Sequence, residues 1–389
     1  MGSRQKEWVA RTSGFEVRGS SAVMLREAPW TAVAPATALV VRRGRWQLRF
    51  AAALQGASRT FTQSDERKLM GVCARNDTAA RGWNIMRRKE IIQSLKGIFP
   101  PLVTPFSRRG EFDEGLFREN VQRLTGIGLA GVLVAGSTGE APYLTEGERL
   151  RLVEVARDLV CQPEIVIAGV GLESTDATIR LGLEAVARGA DALLVITPNY
   201  YKSKMDADAL ERHYRAVASQ ANRPVIIYSI PQFTGLHLEP STIGRLSQIP
   251  NVVALKESSG DLQFVRAVLR RVRPAFRVLV GSVAILYESL QAGAVGAVLA
   301  QAGFAPELCV GLYNAFMQRK RKLALEFQQR LLPLARKITL PFGVPGIKAA
   351  LDLSGYGGGF PRAPLAPLGP AARKMVAEAL REARAGLEY

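Results

Sequence analysis

The sequence predicts an α/β protein, a closed (β/α)8 TIM barrel with additional C-terminal helices. Three observations carry this. Eight short apolar runs follow residue 97, and amphipathic stretches of helical length separate them. No GxGxxG opens the first helix, as an open dinucleotide-binding sheet would have it.

The runs are Ile98–Val103, Gly131–Ala135, Ile165–Ala168, Ala192–Ile196, Val225–Tyr228, Val252–Leu255, Arg277–Val280 and Val295–Leu299. They are rich in β-branched residues, as strands buried on both faces are. Between them, Glu114–Leu124, Glu146–Val160, Thr175–Arg188, Asp206–Ala221 and Leu262–Arg271 read as helices. Thr145 with Glu148 is a capping box, and Ser174–Thr175 opens the next helix. Gly128, Gly189 and Gly293 stand just before strands, where helices end on left-handed glycine. Past the eighth unit, Leu323–Leu334, Pro345–Leu353 and Pro370–Ala385 read as extra helices. The barrel is thus expected over 86–320 and a C-terminal helical segment over 321–389.

Residues 1–85 have another composition. They hold all four tryptophans, and 14 Lys/Arg against 6 Asp/Glu. No helical period is sustained there. The acids Glu7, Glu16, Glu27, Asp65, Glu66 and Asp77 count against a transit peptide. We read this stretch as a poorly ordered N-terminal extension, or as sequence upstream of a true start at Met86. An accessory segment and a targeting leader are the alternatives. No chemistry is assigned to it.

Composition excludes several function classes. The net charge of +18 raises a nucleic-acid partner, but beyond residue 85 it is spread over some 300 residues without a long basic block. The expectation is no nucleic acid. No apolar run is long enough for a membrane span. Cys73, Cys161 and Cys309 form no CxxC pair, which argues against a disulfide scaffold or a zinc ribbon. Only His213 and His237 are present, which argues against a multi-histidine metal site. We therefore expect no metal, and the sparse cysteines and lack of a clear signal peptide favour a cytoplasmic protein.

A barrel carries its chemistry at the carboxyl ends of its strands. Those ends read Gly136-Ser137-Thr138-Gly139-Glu140, Pro198-Asn199-Tyr200-Tyr201, Tyr228-Ser229-Ile230-Pro231, Lys256-Glu257-Ser258-Ser259-Gly260-Asp261 and Gly281-Ser282. Lys256 directly ends the apolar run NVVAL. A lysine there is desolvated, which disfavours the ammonium and frees a neutral amine. Such an amine forms a Schiff base with a ketone, an electron sink for making or breaking C–C bonds. The alternative is a structural lysine paired with Glu257 or Asp261. Tyr228 ends the preceding strand 28 residues upstream and can face the same cavity. Its phenol, relayed through another hydroxyl, can move the protons this chemistry needs. Ser137, Thr138 and the Tyr200/Tyr201 pair supply candidates. The Gly136–Gly139 turn can cradle a carboxylate through its backbone N–H groups.

The motifs GSTGE (136–140), TPNYY (197–201), YSIP (228–231) and LKESSGD (255–261) resemble the dihydrodipicolinate synthase / N-acetylneuraminate lyase family of class I aldolases. The resemblance spans about Lys96 to Ala385. It implies a pyruvate Schiff base on Lys256 and Tyr228 as proton relay, helped by Ser137 and Thr138. It implies that Ser137, Thr138 and Ser258 hold the pyruvoyl carboxylate or relay protons. It implies a tyrosine, Tyr201, contributed across a dimer interface, and a homotetramer built as a dimer of dimers. One departure matters. Where dihydrodipicolinate synthases usually carry an arginine for the aldehyde's carboxylate, Phe233 stands here. The segments GLEST, TPNYYKSKM, YSIPQFTGL and FGVPGIKAALDLSGYGGGFPRAPL look more like 4-hydroxy-2-oxoglutarate aldolase. The reading is therefore cleavage of 4-hydroxy-2-oxoglutarate to pyruvate and glyoxylate. A Schiff-base lysine acting on such a small-molecule 2-oxo acid would need no organic cofactor, since the imine is the electron sink. The alternative is the condensing synthase reaction of pyruvate with aspartate semialdehyde, or a related dehydration.

Overall fold

In a computed structural model, residues 88–386 are described. The expectations for residues 1–85 lie outside the described residues. Eight strands run parallel: β1 (Gly97–Phe99), β2 (Gly131–Val134), β3 (Ile165–Gly169), β4 (Ala192–Ile196), β5 (Val225–Ser229), β6 (Val252–Glu257), β7 (Arg277–Val280) and β8 (Gly296–Val298). Each pairs with its sequence neighbour from β2 to β8, and β8 pairs with β1.

The last seam, β1 against β2, is a bridge at Pro101 and Leu133 with backbone bonds such as Leu102 N–H to Leu133 O at 2.8 Å. Pro100 and Pro101 have no N–H to give, so the predicted strand Ile98–Val103 is cut to three residues.

The helices are α1 (Arg88–Ser94), α2 (Glu114–Leu124), α3 (Glu146–Leu159), α4 (Thr175–Ala187), α5 (Ala207–Gln220), α6 (Pro231–Thr234), α7 (Pro240–Leu246), α8 (Leu262–Leu269), α9 (Leu286–Ala292), α10 (Pro306–Met317), α11 (Arg321–Leu334), α12 (Leu340–Leu353) and α13 (Pro370–Arg384). The capping box of α3 is complete, with Glu148 N–H on Thr145 Oγ1 and Thr145 N–H on Glu148 Oε2. Ser174 caps α4 and Asp261 caps α8, in each case through the side chain. Gly189 and Gly293 have positive φ, as the ends of α4 and α9 require; Gly128 also has positive φ, but α2 already ends at Leu124 with an extended Thr125 cap, so Gly128 lies in the loop and closes no helix. Inside α12, Gly343 leaves helical geometry at φ 52°, so the helical turn that begins near Pro345 is a separate piece, as its sequence suggests. No helix among the described residues is long and apolar enough to cross a membrane.

Strand parity sorts the core into two layers. Phe99, Leu133, Ile165, Ile167, Leu194, Ile226, Tyr228, Ala254 and Leu279 cluster inside the barrel. Their neighbours, such as Val132, Val166, Val195, Ile227, Leu255 and Val278, pack outward against the helices. Ile91 of α1 and Leu95 join the inner cluster, while Arg88 bonds the Pro250 carbonyl ahead of β6. The amino-terminal end of the barrel is thereby closed, and the opposite end carries the strand-end motifs.

Candidate active site

Parity places the candidate residues. Lys256 has the parity of inward Ala254 on β6, and Glu257 that of outward Leu255. Tyr228 of β5 pairs directly with Lys256 in the ladder. Both point into the barrel at its carboxyl end, and both are buried, Lys256 at 5% and Tyr228 at 4% exposure. The Lys256 Nζ stands 3.9 Å from the centre of the Tyr228 ring.

The structural alternative for Lys256 required a carboxylate. Glu257 faces outward, and its Oε1 accepts from Ser259 N–H at 2.7 Å. Burial raises the Glu257 carboxyl above its usual range, against the Ser259 hydrogen bonds. Asp261 is occupied as a cap, accepting from Gln263 N–H at 2.7 Å and Phe264 N–H at 3.2 Å. No ion pair of Lys256 exists among the described residues. A buried amine at the carboxyl end of a barrel strand without a counter-charge is the form a nucleophilic lysine takes.

The Tyr228 hydroxyl lies 3.2 Å from Ser137 Oγ, so phenol and alcohol can exchange a proton. Ser137, Thr138 and Gly139 form a short turn after β2, half-buried at the two hydroxyls. Among the described residues the recorded contact to Tyr228 is made by Ser137; Thr138 makes no hydrogen bond there. Gly136 begins the turn and accepts from Gly139 N–H at 3.0 Å and Ala141 N–H at 3.2 Å.

Ser258 is buried after β6, with its N–H on Ser229 O at 3.0 Å. A Cβ on Gly281 would fall 1.9 Å from Ser258 Oγ, so only glycine leaves room for that hydroxyl. Gln232 of α6 donates to Ser258 O at 2.8 Å and ties the segment after β5 to the end of β6. Sequence reasoning gave Gln232 no role and placed Gly281 at a strand end without a role. What each does to Ser258 has no signal along the chain, because both act on a neighbouring strand.

Tyr201 and Phe233 stand apart. Tyr201 is 70% exposed and stacks edge-on with Tyr200, ring centres 5.0 Å apart. The loop beneath is held by Glu173, whose Oε2 accepts from the N–H groups of Asn199 and Tyr200, each at 2.9 Å. Phe233 is 68% exposed on α6. Neither ring makes a hydrogen bond or ring contact with Lys256 or Tyr228 among the described residues.

A parallel barrel with a buried lysine beside a phenol at its mouth, in a chain that matches the dihydrodipicolinate synthetase family, is a carbon–carbon lyase of the class I, Schiff-base type. The family model matches residues 94–383, and the chain belongs to that family. The chain is similar to the 4-hydroxy-tetrahydrodipicolinate synthase of Methanothrix thermoacetophila, 37% identical over 275 residues, 70% of this chain and 92% of the relative. It is 36% identical over 291 residues to the synthase of the same name from Agrobacterium fabrum, 74% of this chain and 98% of that one. Among solved structures it is similar to YagE, a prophage protein of the same family from E. coli K12 in complex with pyruvate. That match has a TM-score of 0.71 at 29% identity, over 75% of this chain and 99% of the other.

Proposed function

We propose that Lys256 forms a Schiff base with pyruvate and that the chain condenses it with aspartate semialdehyde, as 4-hydroxy-tetrahydrodipicolinate synthase. The observation that carries the Schiff base is the buried Lys256 amine facing Tyr228 without a carboxylate partner. The condensing reaction is supported by the names its relatives bear. These do not favour 4-hydroxy-2-oxoglutarate cleavage, the first reading of the sequence. Phe233 in place of an arginine still favours that cleavage as a second reading.

In the condensing reaction the Lys256 amine adds to C2 of pyruvate; in cleavage it adds to C2 of 4-hydroxy-2-oxoglutarate, and pyruvate leaves when water hydrolyses the last imine. The carbinolamine hydroxyl takes a proton and leaves as water, giving the imine. Loss of a C3 proton gives the enamine, whose C3 bonds to the aldehyde carbon. Cleavage runs the same steps in reverse. Tyr228 supplies and removes these protons through Ser137. Backbone N–H groups of the Gly136–Gly139 turn, with the Ser137, Thr138 and Ser258 hydroxyls, hold the pyruvoyl carboxylate. The exposed Tyr200/Tyr201 pair suits burial against a second copy, which supports a homotetramer with Tyr201 acting across that interface.

Sodium borohydride with pyruvate, intact mass and peptide mapping test the lysine. The expected result is one reduced pyruvoyl adduct, on Lys256; a folded protein without it sinks the proposal. Product analysis then separates the reactions. Consumption of pyruvate only with aspartate semialdehyde supports the synthase, and pyruvate release from 4-hydroxy-2-oxoglutarate supports the aldolase.

A further inference from the structure

A second buried lysine lies behind the Ser137–Gly139 turn. Lys348, on α12, is 2% exposed and contacts Glu140 Oε1 at 2.6 Å, with the Glu140 side chain 1% exposed. Its Nζ also donates to Thr104 O at 2.8 Å and Phe360 O at 2.6 Å. The amine thus makes two hydrogen bonds to backbone carbonyls and one buried ion pair. The other Glu140 oxygen accepts from Arg362 N–H at 2.8 Å. Thr104, whose carbonyl Lys348 holds, donates its own hydroxyl to Gly139 O at 2.7 Å.

Two partners in this cluster, Glu140 and Thr104, bear on the turn that presents Ser137. The turn is flanked by two non-glycine residues in the left-handed region, Ala135 at φ 52° and Glu140 at φ 60°. Such residues persist only where their surroundings over-determine them. At Glu140 the surroundings are the ion pair and the Arg362 backbone. Resting on the reading of Tyr228 and Ser137 as a proton relay, we propose that the Lys348–Glu140 pair is a positioning device. It holds the Ser137 hydroxyl against the Tyr228 phenol, and so makes the C-terminal segment part of the active-site frame.

The test uses the full chain with Lys348→Met, Glu140→Gln and the double variant. If a single variant leaves a lone buried charge and fails to fold, the double variant buries none and carries the test. Glu140→Asp, which keeps the charge and shortens the reach, adds a third readout. Measured are the borohydride-trapped Lys256 adduct, kcat, KM for pyruvate and Tm. We expect the adduct to persist and KM to stay within about threefold, while kcat falls about 10- to 100-fold. In a Ser137→Ala background the loss should vanish, because the contact being positioned is already gone. An unchanged kcat with lowered Tm, or losses that multiply with Ser137→Ala, overturns the inference and leaves the pair structural. Wild-type protein without a Lys256 adduct overturns the Schiff-base reading and this inference with it.

Discussion

Two lysines of this chain interrupt apolar sequence, Lys256 after NVVAL and Lys348 within GIKAAL, and both are buried. The desolvation argument selects them equally. What separates them is what they face: Lys348 has three oxygen acceptors, and Lys256 has the Tyr228 ring. The strand-end rule picks out Lys256 from sequence alone, since Lys348 lies on a helix. The strand-end rule also offered Ser137 as a partner for Tyr228, but only beside Thr138, Tyr200 and Tyr201; the structure gives the contact to Ser137. The effect of Gln232 and Gly281 on Ser258 was not legible, because it depends on which strand lies beside which. Tyr228→Phe keeps the ring beside the amine and removes only the hydroxyl that meets Ser137. It should fold with an unchanged Tm and lose about 10²- to 10⁴-fold in kcat, the usual worth of a positioned acid–base group. Steady-state rates within twofold of wild type would remove Tyr228 from the relay.

Elements with caps and a full period were readable to within two or three residues, as α2, α3 and α4 show. The four-residue α6 was not, because one turn has no period to detect. The loops between elements also hide their electrostatics. Glu148 serves both the α3 cap and a bidentate pair with Arg362, some 200 residues away, which holds its carboxyl down to about 2. His213, on α5, looked from sequence like one of two stray histidines. It is buried between α4 and its own helix, with Nδ1 2.9 Å from Thr175 Oγ1. Burial pushes its pKa down to about 4, and Glu173 only partly opposes this. The unfolded chain binds a proton near pH 6.5 while the folded one stays neutral until about 4. Stability should therefore be complete above pH 6.5 and fall toward pH 4, by up to about 3 kcal/mol. His213→Gln should flatten that decline in urea midpoints measured across the window. An equally steep decline in the variant would assign it to other groups.

At the scale of the whole molecule, the barrel closes by pairing β8 to β1, with a weaker proline-limited seam to β2. The C-terminal segment reinforces the carboxyl end near that seam. Lys348 bonds Thr104 just past β1, and Arg362 bonds Gly110, Tyr143 and Glu148. The family match spans 94–383, and the synthases of Methanothrix thermoacetophila and Agrobacterium fabrum align over 92% and 98% of their own lengths with 70% and 74% of this chain. Folding and turnover should then need nothing upstream of Met86. A chain of residues 86–389 should match the full chain in Tm to within a few degrees, in borohydride-trapped adduct, and in kcat within about twofold. It should differ in charge, because residues 1–85 carry 14 of the 52 Lys/Arg and 6 of the 34 Asp/Glu. Elution from a cation exchanger should accordingly need less salt. Lost turnover with an intact fold would give the first 85 residues a catalytic part. A steeply salt-dependent DNA affinity present only in the full chain would instead give them a nucleic-acid partner.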